Sequence, residues 1–144
     1  MSYIVSANRF VPVAPSAIFD LLADPSKHPL IDGSGSVKAV AASAPARLSL
    51  GATFGMDMKI GMPYKITNTV VEFEEDSLIA WRHFGGHVWR YRLAATEGGT
   101  DVTEEFDWTN ARSRLFLQLM RSPSKNQQAM VRTLERLDAH FRQS

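Results

Sequence analysis

The chain has 144 residues, enough for one domain that buries about two thirds of its unfolded surface without covalent staples. Lys plus Arg number 16 against 15 for Asp plus Glu, so a formal net charge of +1 offers no general attraction to nucleic acid or to an anionic membrane. The absence of cysteine excludes disulfides and thiol chemistry and removes the usual ligands of structural zinc.

The opening MSYIVSANRF lacks the basic start and apolar run of a signal peptide, and no apolar stretch approaches the ~20 residues of a membrane span. A cytoplasmic protein with no stable membrane insertion is expected. Tyr3 to Val11 alternates weakly and is rich in β-branched and aromatic residues, which predicts a first strand whose inward face stays open. Pro15 and Ser16 open a short helix, Ala17 to Ala23, that Asp24-Pro25 terminates. The turn-rich run HPLIDGSGS follows, then a candidate strand at Val37 to Ala42 and a loop at Ala44 to Ser49.

From Gly51 onward the turns set a register. Gly85-Gly86 and Gly98-Gly99 are two-residue hairpin signals. Taken as tight turns, they pair Arg82 with Trp89, Ala80 with Tyr91, Trp89 with Trp108, Tyr91 with Phe106 and Leu93 with Glu104, with Arg90 against Asp107 and Arg92 against Glu105 on the opposite face. The two charge pairs support that choice, because a slip by one residue puts both arginines in the core. A turn near Glu75-Asp76 places Phe73, Val71, Thr69 and Thr67 inward, and one near Gly61-Met62 adds Met58, Met56 and Phe54. Ile66, Val70, Ile79, Trp81 and Val88 then point outward, a patch suited to a homodimer through the outer sheet face near Trp81. Ser122 and Pro123 start a closing helix in which Met130, Thr133, Leu134, Leu137 and Phe141 form one apolar stripe, long enough to cover the meander.

A first strand, a small helix pair, an antiparallel meander and a long last helix resemble the helix-grip fold of the START and polyketide-cyclase superfamily, which includes birch-pollen-allergen-like proteins. The likeness rests on RFVPVAPSAIFDLLADPSKHPLIDGSG, WRYRLAATEGGTDVTEEFDW and NQQAMVRTLERL, and it spans nearly the whole chain. The first stretch is similar to a small bacterial branch labelled polyketide cyclase/dehydratase, in which an alanine-proline pair starts the first helix and an HP-x-x-DGSG run follows. The resemblance implies an α+β fold in which a curved sheet grips the last helix and leaves a cavity for an apolar or amphipathic ligand. Fold identity transfers a pocket and no reaction.

The residues expected to line that cavity are Phe54, Met56, Met58, Thr69, Val71, Arg82, Trp89, Tyr91, Glu104, Phe106, Trp108, Met130 and Leu134, with His28, Asp32 and Ser34 at its mouth. Arg82, predicted inward between Trp89 and Trp108, is either a cation that anchors an acidic or carbonyl head group or a partner of Glu104 in a wet pocket. An inward Glu104 is costly unless paired, so it balances Arg82 or carries a raised pKa suited to proton transfer. Tyr91 and His87 complete a set of candidate catalytic groups for an enolising carbonyl. The histidines His28, His83, His87 and His140 show no metal-ligand spacing, and neither metal nor cofactor is expected. The expected function is non-covalent binding of a small apolar or amphipathic molecule, as carrier or sensor. The rivals are a cyclase or dehydratase without metal or covalent nucleophile, and an interaction module of the chaperone-activator type.

Overall fold

The computed structural model describes residues 3–33, 37–40, 44–60, 62–83, 85–119 and 122–142, and of 37–40, 56–60, 62–65, 116, 119 and 122 the backbone alone. The strands are β1 (Ile4–Val11), β2 (Val37–Val40), β3 (Thr53–Ile60), β4 (Met62–Glu74), β5 (Leu78–His83), β6 (Val88–Thr96) and β7 (Gly99–Asp107). The helices are α1 (Pro15–Leu22), α2 (His28–Ile31), α3 (Arg114–Leu119) and α4 (Ser122–Arg142), with a 3₁₀ turn at Pro25–Lys27 before α2. The strands make one antiparallel sheet in the order β1-β7-β6-β5-β4-β3-β2, so the chain leaves β1 at one edge, crosses through α1 and α2 to the other, and returns as a meander. α4 then packs on one face of the sheet. This is the expected α+β helix-grip architecture.

Local chemistry explains most of the boundaries. Pro15 occupies the first turn of α1, where a missing N–H costs nothing, and Ile18, Phe19, Leu21 and Leu22 form its buried side. Asp24 accepts from the Ser26 amide and hydroxyl at 3.0 and 2.6 Å, which caps the 3₁₀ turn. The apolar stripe of α4 behaves as its spacing predicts: Met130, Leu134 and Leu137 are buried together with Thr133. The described part of the HPLIDGSG segment, residues 28–33, is not a plain mouth loop. Its first half is α2, and His28 is buried, hydrogen-bonded through Nε2 to the Leu22 carbonyl at 2.8 Å and stacked on Trp81 at 4.8 Å.

The register of β5 differs from the turn-based expectation by one residue. Glu74 pairs with Leu78 across a three-residue turn in which Asp76 has φ 65°, and Arg82 pairs with Val88 across a five-residue connection. A single-residue shift turns every side chain of β5 over. Ile79 and Trp81 therefore point into the core, at 0% and 9% exposure, while Arg82 lies on the outer face in solvent. A bulge at Val71 does the same for β4: Val70 and Asn68 are buried, Thr69 shares the outer face with Arg82, and Val71 is left unpaired. The outer patch that suggested a homodimer loses Ile66, Val70, Ile79 and Trp81 to the core side.

The β6–β7 hairpin is shifted by two residues, which preserves the faces. Its turn is Glu97-Gly98, with Gly98 at φ 81°, so Trp89 faces Phe106 and Tyr91 faces Glu104. Both expected outward charge pairs are present, and Arg90 gains Glu72 and Glu105 as further partners. Arg90 is 8% exposed and binds Glu72 through two bonds of 2.9 and 2.7 Å, Glu105 at 2.9 Å and Asp107 at 3.4 Å, while Arg92 binds Glu105 at 3.2 Å. These bonds, that to Glu72 first, push the Arg90 pKa up and hold Glu72 below the usual carboxylate range.

Candidate functional site

Three cross-strand rows on the face turned to α4 carry the polar groups of interest. The middle row is aromatic: Val70, Trp81, Trp89, Phe106 and Val5 lie side by side on β4, β5, β6, β7 and β1. Trp89 and Phe106 have ring centroids 4.8 Å apart, and Trp81 lies 5.8 Å from Tyr91. On one side is the row Phe73, Ile79, Tyr91, Glu104 and Ala7. On the other are Phe54, Asn68 and His83, continued by His87 and Trp108 just beyond the last β6–β7 pair. A broad apolar band thus has hydrogen-bonding groups along both edges.

Glu104 is the chemical centre of the first polar row. It is 4% exposed, and burial raises its pKa from 4.5 to about 8; a hydrogen bond from the Tyr91 hydroxyl opposes that shift, and the Asp32 carboxylate adds to it. Burial, followed by the charge and hydrogen bond of Glu104, pushes the Tyr91 phenol well up. Tyr91 satisfies only part of the carboxyl: Glu104 Oε1 has no hydrogen-bond partner among the described residues. Glu104 does not balance Arg82, which is on the other face of the sheet.

The second polar row ends in two more orphaned atoms, Asn68 Oδ1 and Trp108 Nε1, both buried and without partners among the described residues. Between them His83 and His87 stack at 4.4 Å, and the His83 Nδ1 accepts from the Gly85 amide at 3.0 Å. Burial, then the neighbouring His83, lowers the His87 pKa to about 4, so its ring is neutral at pH 7 and sits 5.1 Å from Phe106 rather than at an exposed turn.

The remaining expected residues divide by location. Phe54 is buried against His28 and Trp81, Phe106, Trp108 and Met130 form a cluster of their own, and Leu134 packs in the main core with Tyr91. Thr69, Val71 and Arg82 leave the site for the reasons of register given above. Ser34 and the side chains of Met56 and Met58 lie outside the described residues. Asp32 and Gly33 are held against α4: the Gly33 amide donates to Thr133 Oγ1 at 2.9 Å, Arg132 Nε donates to the Gly33 carbonyl at 2.9 Å, and Arg136 Nη1 donates to the Asp32 carbonyl at 2.8 Å. Asn68 and Trp81 were missed by sequence reasoning, and the bulge that turns Asn68 inward leaves no mark in residue alternation. An open depression of about 650 Å³ over Thr109 to Leu115 contains none of these residues. Among the described residues no group of three or more His, Cys, Asp or Glu is placed to hold a metal ion, and no helix is long and apolar enough to cross a membrane.

The family described as polyketide cyclase / dehydrase and lipid transport matches residues 3–142. The chain belongs to that family. Among individual relatives, the uncharacterized protein Rv0088 of Mycobacterium tuberculosis is 40% identical over 98 residues, which are 66% of this chain and 43% of the relative. The match thus spans less than half of that longer protein. The crystal structure of protein Ms6760 from Mycobacterium smegmatis superposes with a TM-score of 0.75 at 16% identity, covering 97% of this chain and 91% of the other. The AHSA1-like protein from Aeromonas hydrophila gives 0.64 at 18% identity over 92% of each chain. At such identities the structural likeness concerns the fold alone.

Proposed function

We propose that this protein binds a small hydrophobic or amphipathic molecule between the inner sheet face and α4. The supporting observation is the set of orphaned buried atoms on that face, Glu104 Oε1, Asn68 Oδ1 and Trp108 Nε1. A buried polar group without a partner costs about 1–3 kcal/mol, and native folds leave few of them. Three flanking one aromatic row fit a polar occupant that completes them, while Trp81, Trp89 and Phe106 meet its apolar body. Native mass spectrometry of freshly purified protein, with thermal denaturation against a panel of amphipathic compounds, tests this. A co-purifying small molecule, or a compound raising Tm in proportion to the logarithm of its concentration, is expected. A bare mass with no shift across the panel would sink the proposal.

One observation favours a second function, proton transfer on a bound carbonyl compound. A carboxyl with a pKa of about 8, hydrogen-bonded to a buried phenol, can donate or accept a proton near neutral pH. In that case Glu104 is the acid or base and Tyr91 orients it. Turnover whose pH profile has a limb near 8, lost in Glu104→Gln, distinguishes this enzyme from a carrier.

A further inference from the structure

The groups around Glu104 decide the sign of the ligand's head group. The Asp32 carboxylate at the end of α2 acts on both Glu104 and Tyr91, and it disfavours a negative charge on either. Among the described residues, the nearby cations are engaged elsewhere. Arg9, two positions along β1 from the Ala7 that pairs with Glu104, binds Asp138 of α4 at 2.9 Å. Arg132 and Arg136 of α4 are exposed and donate to the carbonyls of Gly33 and Asp32. The buried face of α4 presents Met130, Thr133, Leu134 and Leu137, and the Thr133 hydroxyl is occupied by the Gly33 amide. With Arg82 on the outer face, the groups that the described residues bring to this end of the site are two carboxyls and a phenol.

We propose that the site takes an apolar molecule bearing a basic nitrogen, a primary or secondary aliphatic amine whose N–H donates to Glu104 Oε1. This rests on the binding function proposed above and reverses the acidic head group that an inward Arg82 implied. An ammonium supplies both the donor that Oε1 lacks and the charge that a buried carboxylate needs. An anionic head group gains no such charge pair, because the described cations near this end of the site are bonded elsewhere.

Three molecules of similar shape form the test: naphthylethylamine, ethylnaphthalene and naphthylacetate, titrated into the full chain by calorimetry. The amine is expected to bind at least tenfold more tightly than ethylnaphthalene, and naphthylacetate at least tenfold more weakly than the amine. At pH 7 Glu104 is largely protonated, so ammonium binding displaces about one proton, and the heat scales with the ionisation enthalpy of the buffer. Glu104→Gln should abolish both the preference and the proton release. If that variant does not fold, the wild-type ranking and proton release decide alone. Ethylnaphthalene binding as tightly as the amine would overturn the basic nitrogen and leave the binding function standing, as would tighter binding of naphthylacetate. Failure of all three probes would count against both proposals.

Discussion

Glu104 is one carboxyl whose surroundings set both its chemistry and its cost. Burial favours the protonated form, so the folded chain holds a proton that the unfolded chain releases above about pH 4.5. Because the folded pKa is raised, the folded state is favoured below pH 4.5 and loses that advantage as pH rises to about 8, at about 1.4 kcal/mol per pH unit. Glu104→Gln removes the titration, and its stability relative to wild type should climb by several kcal/mol between pH 5 and pH 8. Urea denaturation at four pH values checks this, and a constant difference across the range would contradict it. His28 and His87 act with the opposite sign: burial lowers both pKa values, so the stability of their neutral rings is present above pH 6.5 and lost as pH falls. Sequence pattern placed Glu104 and Tyr91 on the inner face, where they are. It could not show that they face each other, because that depends on which two residues make the turn.

At the scale of elements, the contact between the α2 end and α4 depends on one glycine. A Cβ at Gly33 would lie 2.5 Å from the Ala129 carbonyl oxygen and the Thr133 amide nitrogen, both backbone atoms that cannot move alone. The small residue lets the segment approach closely enough for Thr133 to accept the Gly33 amide. Gly33→Ala should therefore cost about 1–3 kcal/mol by overpacking. Amide exchange should speed up at residues 28–33 while the β6–β7 hairpin keeps its protection; unchanged exchange there would show that the segment is not held this way. The DGSG run looked like turn chemistry in the sequence, and only docking against a helix a hundred positions later reveals why glycine stands at 33. The β5 strand carries the contrary lesson. Its residues alternate cleanly on either register, so Trp81 and Arg82 exchange faces when a turn gains one residue.

Across the whole molecule, Asp138 ties the last helix to the first strand. It is 3% exposed and accepts from Arg9 Nε at 2.9 Å and from Arg142 Nε at 2.6 Å. Burial pushes its pKa up, but the Arg9 and Arg142 bonds outweigh it and hold the carboxyl below its usual range. The depressed folded pKa contributes stability above the unfolded value, lost as pH falls through the folded one. Asp138→Asn should cost about 1–2 kcal/mol at pH 7, discounted because both arginines are half exposed, and progressively less as pH falls below the ordinary carboxylate range. A penalty of constant size as pH falls, in thermal denaturation, would assign the loss to packing instead. The same tie keeps α4 over the inner face, so Asp138 supports the site without touching it.

Sequence alone determined the order of elements apart from α3, the amphipathic stripe of α4, the faces of β6 and β7, and hence the family. These follow from local periodicity, caps and turn residues, which short segments carry with them. Tertiary structure decided that Arg82 is outside, that Asn68 and Trp81 are inside, and that Tyr91 and Glu104 face each other. The physical reason is that a strand has period two: a bulge at Val71 and one extra residue in each turn flanking β5 invert whole faces while leaving composition and alternation unchanged.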